Sequence, residues 1–105
     1  MEKSSAGRAN IHIPLEEIAE FSRRNRIRRL ALFGSALRDD FRSDSDLDIL
    51  VEFEPNTRLG LRFFALQREL SGIFGREVDL NTPGFLSPYF RDEVMAEAED
   101  LYVAP

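Results

Sequence analysis

The stretch Phe33-Gly34-Ser35, followed after a ten-residue spacer by Asp46-Leu47-Asp48-Ile49-Leu50-Val51-Glu52-Phe53, decides how this chain folds. A strand sends successive side chains to opposite faces, so only residues two apart share a side. Leu47, Ile49, Val51 and Phe53 therefore face one way, and Asp46, Asp48, Leu50 and Glu52 the other. The two aspartates stand side by side at the start of a strand whose remainder is apolar enough to be buried. Charges ~4 Å apart repel by roughly 4 kcal/mol at an effective dielectric near 20, a cost that a divalent cation turns into attraction. The pair reads as a metal site beside a turn of a size to hold a phosphate.

Ligand hardness selects the metal. The segment offers carboxylates and hydroxyls, while the chain has no cysteine and a single histidine, His12, far upstream. Mg²⁺ fits this donor set, with Mn²⁺ as a substitute. A calcium loop is the competitor, because Asp44, Asp46 and Asp48 match its first three ligand positions. Its glycine slot holds Ile49 and its terminal glutamate slot holds Pro55, so that reading fails. Glycine turn and carboxylate pair together point to metal-assisted chemistry on a nucleoside triphosphate.

With 105 residues, 43% hydrophobic and 31% charged, the chain is expected to form one domain over residues 11–105 behind a flexible tail at residues 1–10. No apolar run approaches the ~20 residues that span a bilayer, and the first residues lack the hydrophobic stretch of a signal peptide. Without cysteine there are no disulfides, and a cytoplasmic location is the expectation. A net charge of −5 argues against general nucleic-acid binding. Thirteen of the fourteen basic residues are arginine, and Arg23, Arg24, Arg26, Arg28 and Arg29 form a run read as a solvated helix end and loop, the alternative being a docking or phosphate-facing patch.

Pro14, with Glu16 and Glu17 behind it, starts a helix running to about Arg24. Ile27 to Phe33 reads as a strand buried on both faces, and Ala36 to Phe41 as a short helix. Leu59, Phe63, Leu66, Leu70 and Ile73 recur at helical spacing and form a core stripe ended by Gly75 as a C-cap. Arg76 to Asn81 is a short strand in which Asp79 repeats the pattern of Asp46 and Asp48. Ser87-Pro88 opens a last helix with Phe90, Val94, Ala98 and Leu101 as its buried line, and the aromatic group Phe85, Leu86, Tyr89 and Phe90 reads as core rather than as a partner surface. The order α, β, short α, β, α, β, α predicts an α/β (α+β) fold, a small mixed sheet flanked by helices.

These residues resemble the minimal nucleotidyltransferases of the DNA polymerase beta superfamily. That family carries a hydrophobic strand, Gly-Ser, a spacer of about ten residues, Asp-hydrophobic-Asp-hydrophobic, and a third acid on a later strand. Phe33-Gly34-Ser35, the spacer Ala36 to Ser45, Asp46-Leu47-Asp48-Ile49 and Glu77-Val78-Asp79-Leu80 match each element, and the resemblance covers nearly everything from Ile11 onward. It separates Asp44, a loop residue, from the acids of the motif. One departure is that many members continue Gly-Ser-x-Ala-Arg-Gly, whereas this chain reads Gly34-Ser35-Ala36-Leu37-Arg38-Asp39.

The resemblance implies a nucleotidyltransferase fold in which Gly34, Ser35 and Arg38 hold ATP and Asp46, Asp48 and Asp79 hold Mg²⁺ and carry catalysis. It also implies an antitoxin that transfers AMP to a tyrosine of a HEPN-domain ribonuclease toxin. A chain this small has little room for a second enclosed pocket, which favours a macromolecular acceptor. Two alternatives stand beside that expectation: neutralisation of the toxin by binding alone, and transfer to a small molecule, for which similar enzymes carry an extra helical domain.

Overall fold

The computed structural model describes residues 11–37 and 45–105. The expected tail, most of the spacer, Asp44 and Arg38 lie outside the described residues.

Helix α1, Leu15–Arg24, starts after Pro14 and buries Ile18 and Phe21. Strand β1, Ile27–Leu32, is buried on both faces at Leu30, Ala31 and Leu32, as its unbroken apolar run predicts. A 3₁₀ turn, Gly34–Leu37, covers the described part of the expected short helix. Strand β2, Leu47–Phe53, buries Leu47, Ile49 and Val51 on one face and Leu50 on the other. Helix α2, Arg62–Phe74, buries Leu66, Leu70 and Phe74. It ends at Gly75, whose φ of 72° is the left-handed geometry of a C-cap.

Strand β3, Val78–Asn81, lies at one margin of a four-stranded sheet of order β3-β2-β1-β4. β2 and β3 run parallel, and the pairs β1–β2 and β1–β4 are antiparallel. The outward amides of β3 do not face water. Ser71 Oγ accepts from the Val78 amide at 3.0 Å and Gln67 Oε1 from the Leu80 amide at 2.9 Å, so α2 satisfies the donors that an edge strand leaves open.

The C-terminal segment departs from the expected single helix. Helix α3 covers only Arg91–Glu97, and β4, Glu99–Val103, pairs with β1. Ala98 turns the backbone extended, with φ −60° and ψ 141°. Leu101 is buried as expected, but from a strand. It is the only buried position of β4, so the period-2 signal is missing and the spacing from Val94 through Ala98 to Leu101 mimics a helix. Phe90, expected in the core, is mostly exposed, and so are Phe85 and Tyr89.

Four arginines of the basic run are paired within the chain: Arg24 with Glu69 at 2.7 Å, Arg26 with Glu54 at 3.6 Å, Arg28 with Glu52 at 3.0 Å and Arg29 with Asp100 at 2.6 Å. These pairs favour the reading as a charged surface over a phosphate-facing patch. Exposed pairs of this kind add little stability, so the fold rests on the apolar centre of β1 and β2. Leu30→Ala there is expected to cost about 3 kcal/mol through lost burial and an unfilled cavity, read as a lower urea midpoint at unchanged m.

Candidate functional site

The antiparallel ladder delivers Gly34 to the carboxylate of Asp48. The Phe33 amide donates to the Asp48 carbonyl at 3.1 Å, and the chain then turns at Gly34 with φ +65°. A Cβ at Gly34 would lie 2.6 Å from Asp48 Oδ2, so the turn needs glycine for its backbone and for the close approach. Ser35 follows on the same side. Its amide and its hydroxyl both donate to Asp48 Oδ2 at 3.4 Å, long bonds that leave these groups available to a better acceptor.

Parallel pairing supplies the third acid. Asp48 and Asp79 are register partners across β2 and β3, while Leu47 pairs with Val78 and Ile49 with Leu80 on the buried face. Both aspartates therefore project from the face opposite the core. Asp46 stands two residues before Asp48, exposed, just ahead of β2. The approach to it is fixed by Arg76, whose Nη2 donates to the Ser45 carbonyl at 3.1 Å, and by the Leu47 amide, which donates to the Glu77 carbonyl at 2.9 Å.

Asp48 is half-buried, and its carboxyl is held above its ordinary value of 3.8. Desolvation is the largest cause; the Ser35 amide opposes it, the charge of Asp79 adds to it, the Ser35 hydroxyl opposes, and the charge of Asp46 adds further. Both neighbouring acids thus act on Asp48. Among the described residues, however, no three carboxylates lie close enough to form a ready-made metal cage. The donors are hard oxygens carrying uncompensated repulsion, which fits a divalent cation that arrives with its own phosphate ligands.

An open cleft of about 530 Å³ lies beside the turn, lined by Phe33, Gly34, Ser35, Leu37, Asp48, Val94 and Glu97. Its size falls within the range of small-ligand sites. The structure brings Gly34, Ser35 and Asp48 into the cleft and sets Asp79 next to Asp48; Asp46 and Asp79 are not among the lining residues. Arg38 lies outside the described residues. Sequence reasoning places Val94 in the buried line of a helix and gives Glu97 no role, because nothing local shows that α3 lies beside the Gly34 turn. Arg76 gives no signal either, since a bond to a backbone carbonyl such as that of Ser45 leaves no trace in residue type.

The nucleotidyltransferase domain model matches residues 15–101, and the chain belongs to that family. A Methanocaldococcus jannaschii protein provisionally named a protein adenylyltransferase is 37% identical over 75 residues, 71% of this chain and 80% of the relative. A solved structure provisionally described as a minimal nucleotidyltransferase shares 37% identity at a TM-score of 0.67, covering 80% of this chain and 85% of that one. A toxin–antitoxin crystal structure with AMP-PNP has the same fold, with a TM-score of 0.69 at 22% identity, covering 87% of this chain and 74% of that one. The sheet flanked by helices that the sequence predicts is the minimal nucleotidyltransferase architecture. No helix among the described residues is long and apolar enough to cross a membrane.

Gly34→Ala is expected to cost about 1–2 kcal/mol for its left-handed backbone and to displace the Asp48 carboxylate, seen as a lower urea midpoint with loss of nucleotide binding. A carboxyl whose pKa rises on folding lowers stability above its folded pKa and has no effect below its unfolded one. Asp48→Asn should therefore raise Tm by a few degrees at about pH 7, a gain that fades as pH falls through the raised folded-state pKa and is gone below the ordinary carboxylate value. Thermal melts of both proteins across that range would check it.

Proposed function

We propose that this chain is the antitoxin of a toxin–antitoxin pair and moves AMP from ATP to a tyrosine hydroxyl of its partner, a HEPN-domain ribonuclease, in the cytoplasm. The observation that carries the reading is that Asp48, which lines the cleft against the Gly34-Ser35 turn, has Asp79 as its register partner on the next strand. Relatives named protein adenylyltransferases and the toxin–antitoxin structure with AMP-PNP support it.

In this reading Gly34 admits the triphosphate to the backbone, and the Ser35 amide and hydroxyl exchange their long bonds to Asp48 for phosphate oxygens. Arg38, matched to the family motif by sequence, would add a cation for the phosphates. Asp46, Asp48 and Asp79 would hold Mg²⁺, or Mn²⁺ in its place, and the chemistry the ion would supply is charge neutralisation of the phosphates. Asp79 takes the proton of the acceptor hydroxyl. The hydroxyl oxygen bonds to the α-phosphorus in line, the bond from that phosphorus to the bridging oxygen breaks, and pyrophosphate leaves. AMP on the tyrosine adds bulk and negative charge, which obstructs an RNA-binding surface.

Incubation with ATP labelled at the α-phosphate, Mg²⁺ and the product of the adjacent gene tests this. Label is expected on the partner, and Asp46→Asn or Asp48→Asn should slow its appearance by ~100-fold or more while circular dichroism shows the fold retained. A tight complex without label would favour neutralisation by binding alone, and label on a small molecule would favour a different acceptor.

A further inference from the structure

The segment between β3 and α3 holds large apolar side chains out in water. Phe85 is 65% exposed, Tyr89 92% and Phe90 59%. Phe63 joins two of the rings, with Phe85 at 5.5 Å and Phe64 at 5.9 Å between centroids, both edge to face. The segment is pinned. Arg91 Nε donates to the Pro83 carbonyl at 2.9 Å and its Nη2 to the Leu86 carbonyl at 3.2 Å, while Ser87 Oγ accepts from the Tyr89 amide at 3.3 Å. Aromatic side chains on a braced loop lose little freedom on association, which is the property of interface anchors.

The charges that follow are of one sign. Arg91 is engaged with the loop carbonyls, and Asp92, Glu93 and Glu97 on α3 are exposed. The same helix contributes Val94 and Glu97 to the cleft, so whatever covers the ridge sits beside the cleft.

We propose that Phe64, Phe85, Tyr89 and Phe90, with the acidic face of α3, form the docking surface for a partner protein that presents an apolar pocket rimmed by lysine and arginine. The charge selects the occupant: a basic rim is attracted to α3, whereas RNA, and a second copy of this −5 chain, are repelled. Basic rims of this kind characterise protein surfaces that bind RNA, so docking covers such a surface and brings its residues to the cleft. This assignment rests on the function proposed above and supplies its recognition surface.

The test is calorimetric titration of the purified product of the adjacent gene into the wild type and a Phe85→Ser/Tyr89→Ser/Phe90→Ser variant. The expected result is a loss of ~30-fold or more in affinity, with the Tm increment caused by Mg²⁺ and ATP unchanged. Tyr89→Ser alone, at the most exposed ring, guards against misfolding and should weaken binding several-fold. Asp92→Lys/Glu93→Lys should slow association and flatten its salt dependence. Binding by the triple variant within about twofold of wild type, no complex with the wild type, or a wild-type homodimer lost in the triple variant would each overturn the proposal. A ridge-dependent complex without AMP transfer would sink only the catalytic reading, and undiminished transfer by the triple variant would sink only the docking surface.

Discussion

The parallel pairing of β2 with β3 is the constraint on which the site depends. It places Asp48 beside Asp79, a repulsive arrangement that no local preference would choose. Leu47, Ile49, Val78 and Leu80 on the opposite face hold the register, because a slip of β3 by one residue would carry Val78 and Leu80 off the core face and Asp79 onto it. Burial of apolar surface thus supplies the free energy that keeps like charges together, and Asp48 is reluctant to ionise first because it is desolvated and then because Asp79 and Asp46 stand near it.

Supporting contacts translate that register into a site. Arg76 fixes the backbone just before Asp46, and the Phe33 amide fixes the turn against Asp48. The carboxylates and the glycine turn are therefore placed by main-chain bonds, with the side chains left to meet a ligand. The long bonds from Ser35 hold the cleft in order without committing its donors.

The sequence was legible where one periodicity ran long enough. α2 and its glycine cap, the two-sided burial of β1 and the alternation of β2 follow from spacing, and the carboxylate motif follows from the family resemblance together with that alternation. β4 was hidden because five residues with one buried position do not display a strand period, and its loss stretched α3 by several residues. Hydrophobicity alone places Phe85, Tyr89 and Phe90 in the core, and it is blind to the bonds from Arg91 that pin the loop carrying them. Val94 and Glu97 line the cleft beside the Gly34 turn, a placement between segments far apart in the chain that local pattern does not encode.

The side-chain bonds from Gln67 and Ser71 to β3 have a consequence for how the chain behaves in a crowded solution. They close the carboxylate-bearing margin of the sheet to any foreign strand, so β-type self-assembly through the sheet is left with β4 as its starting point.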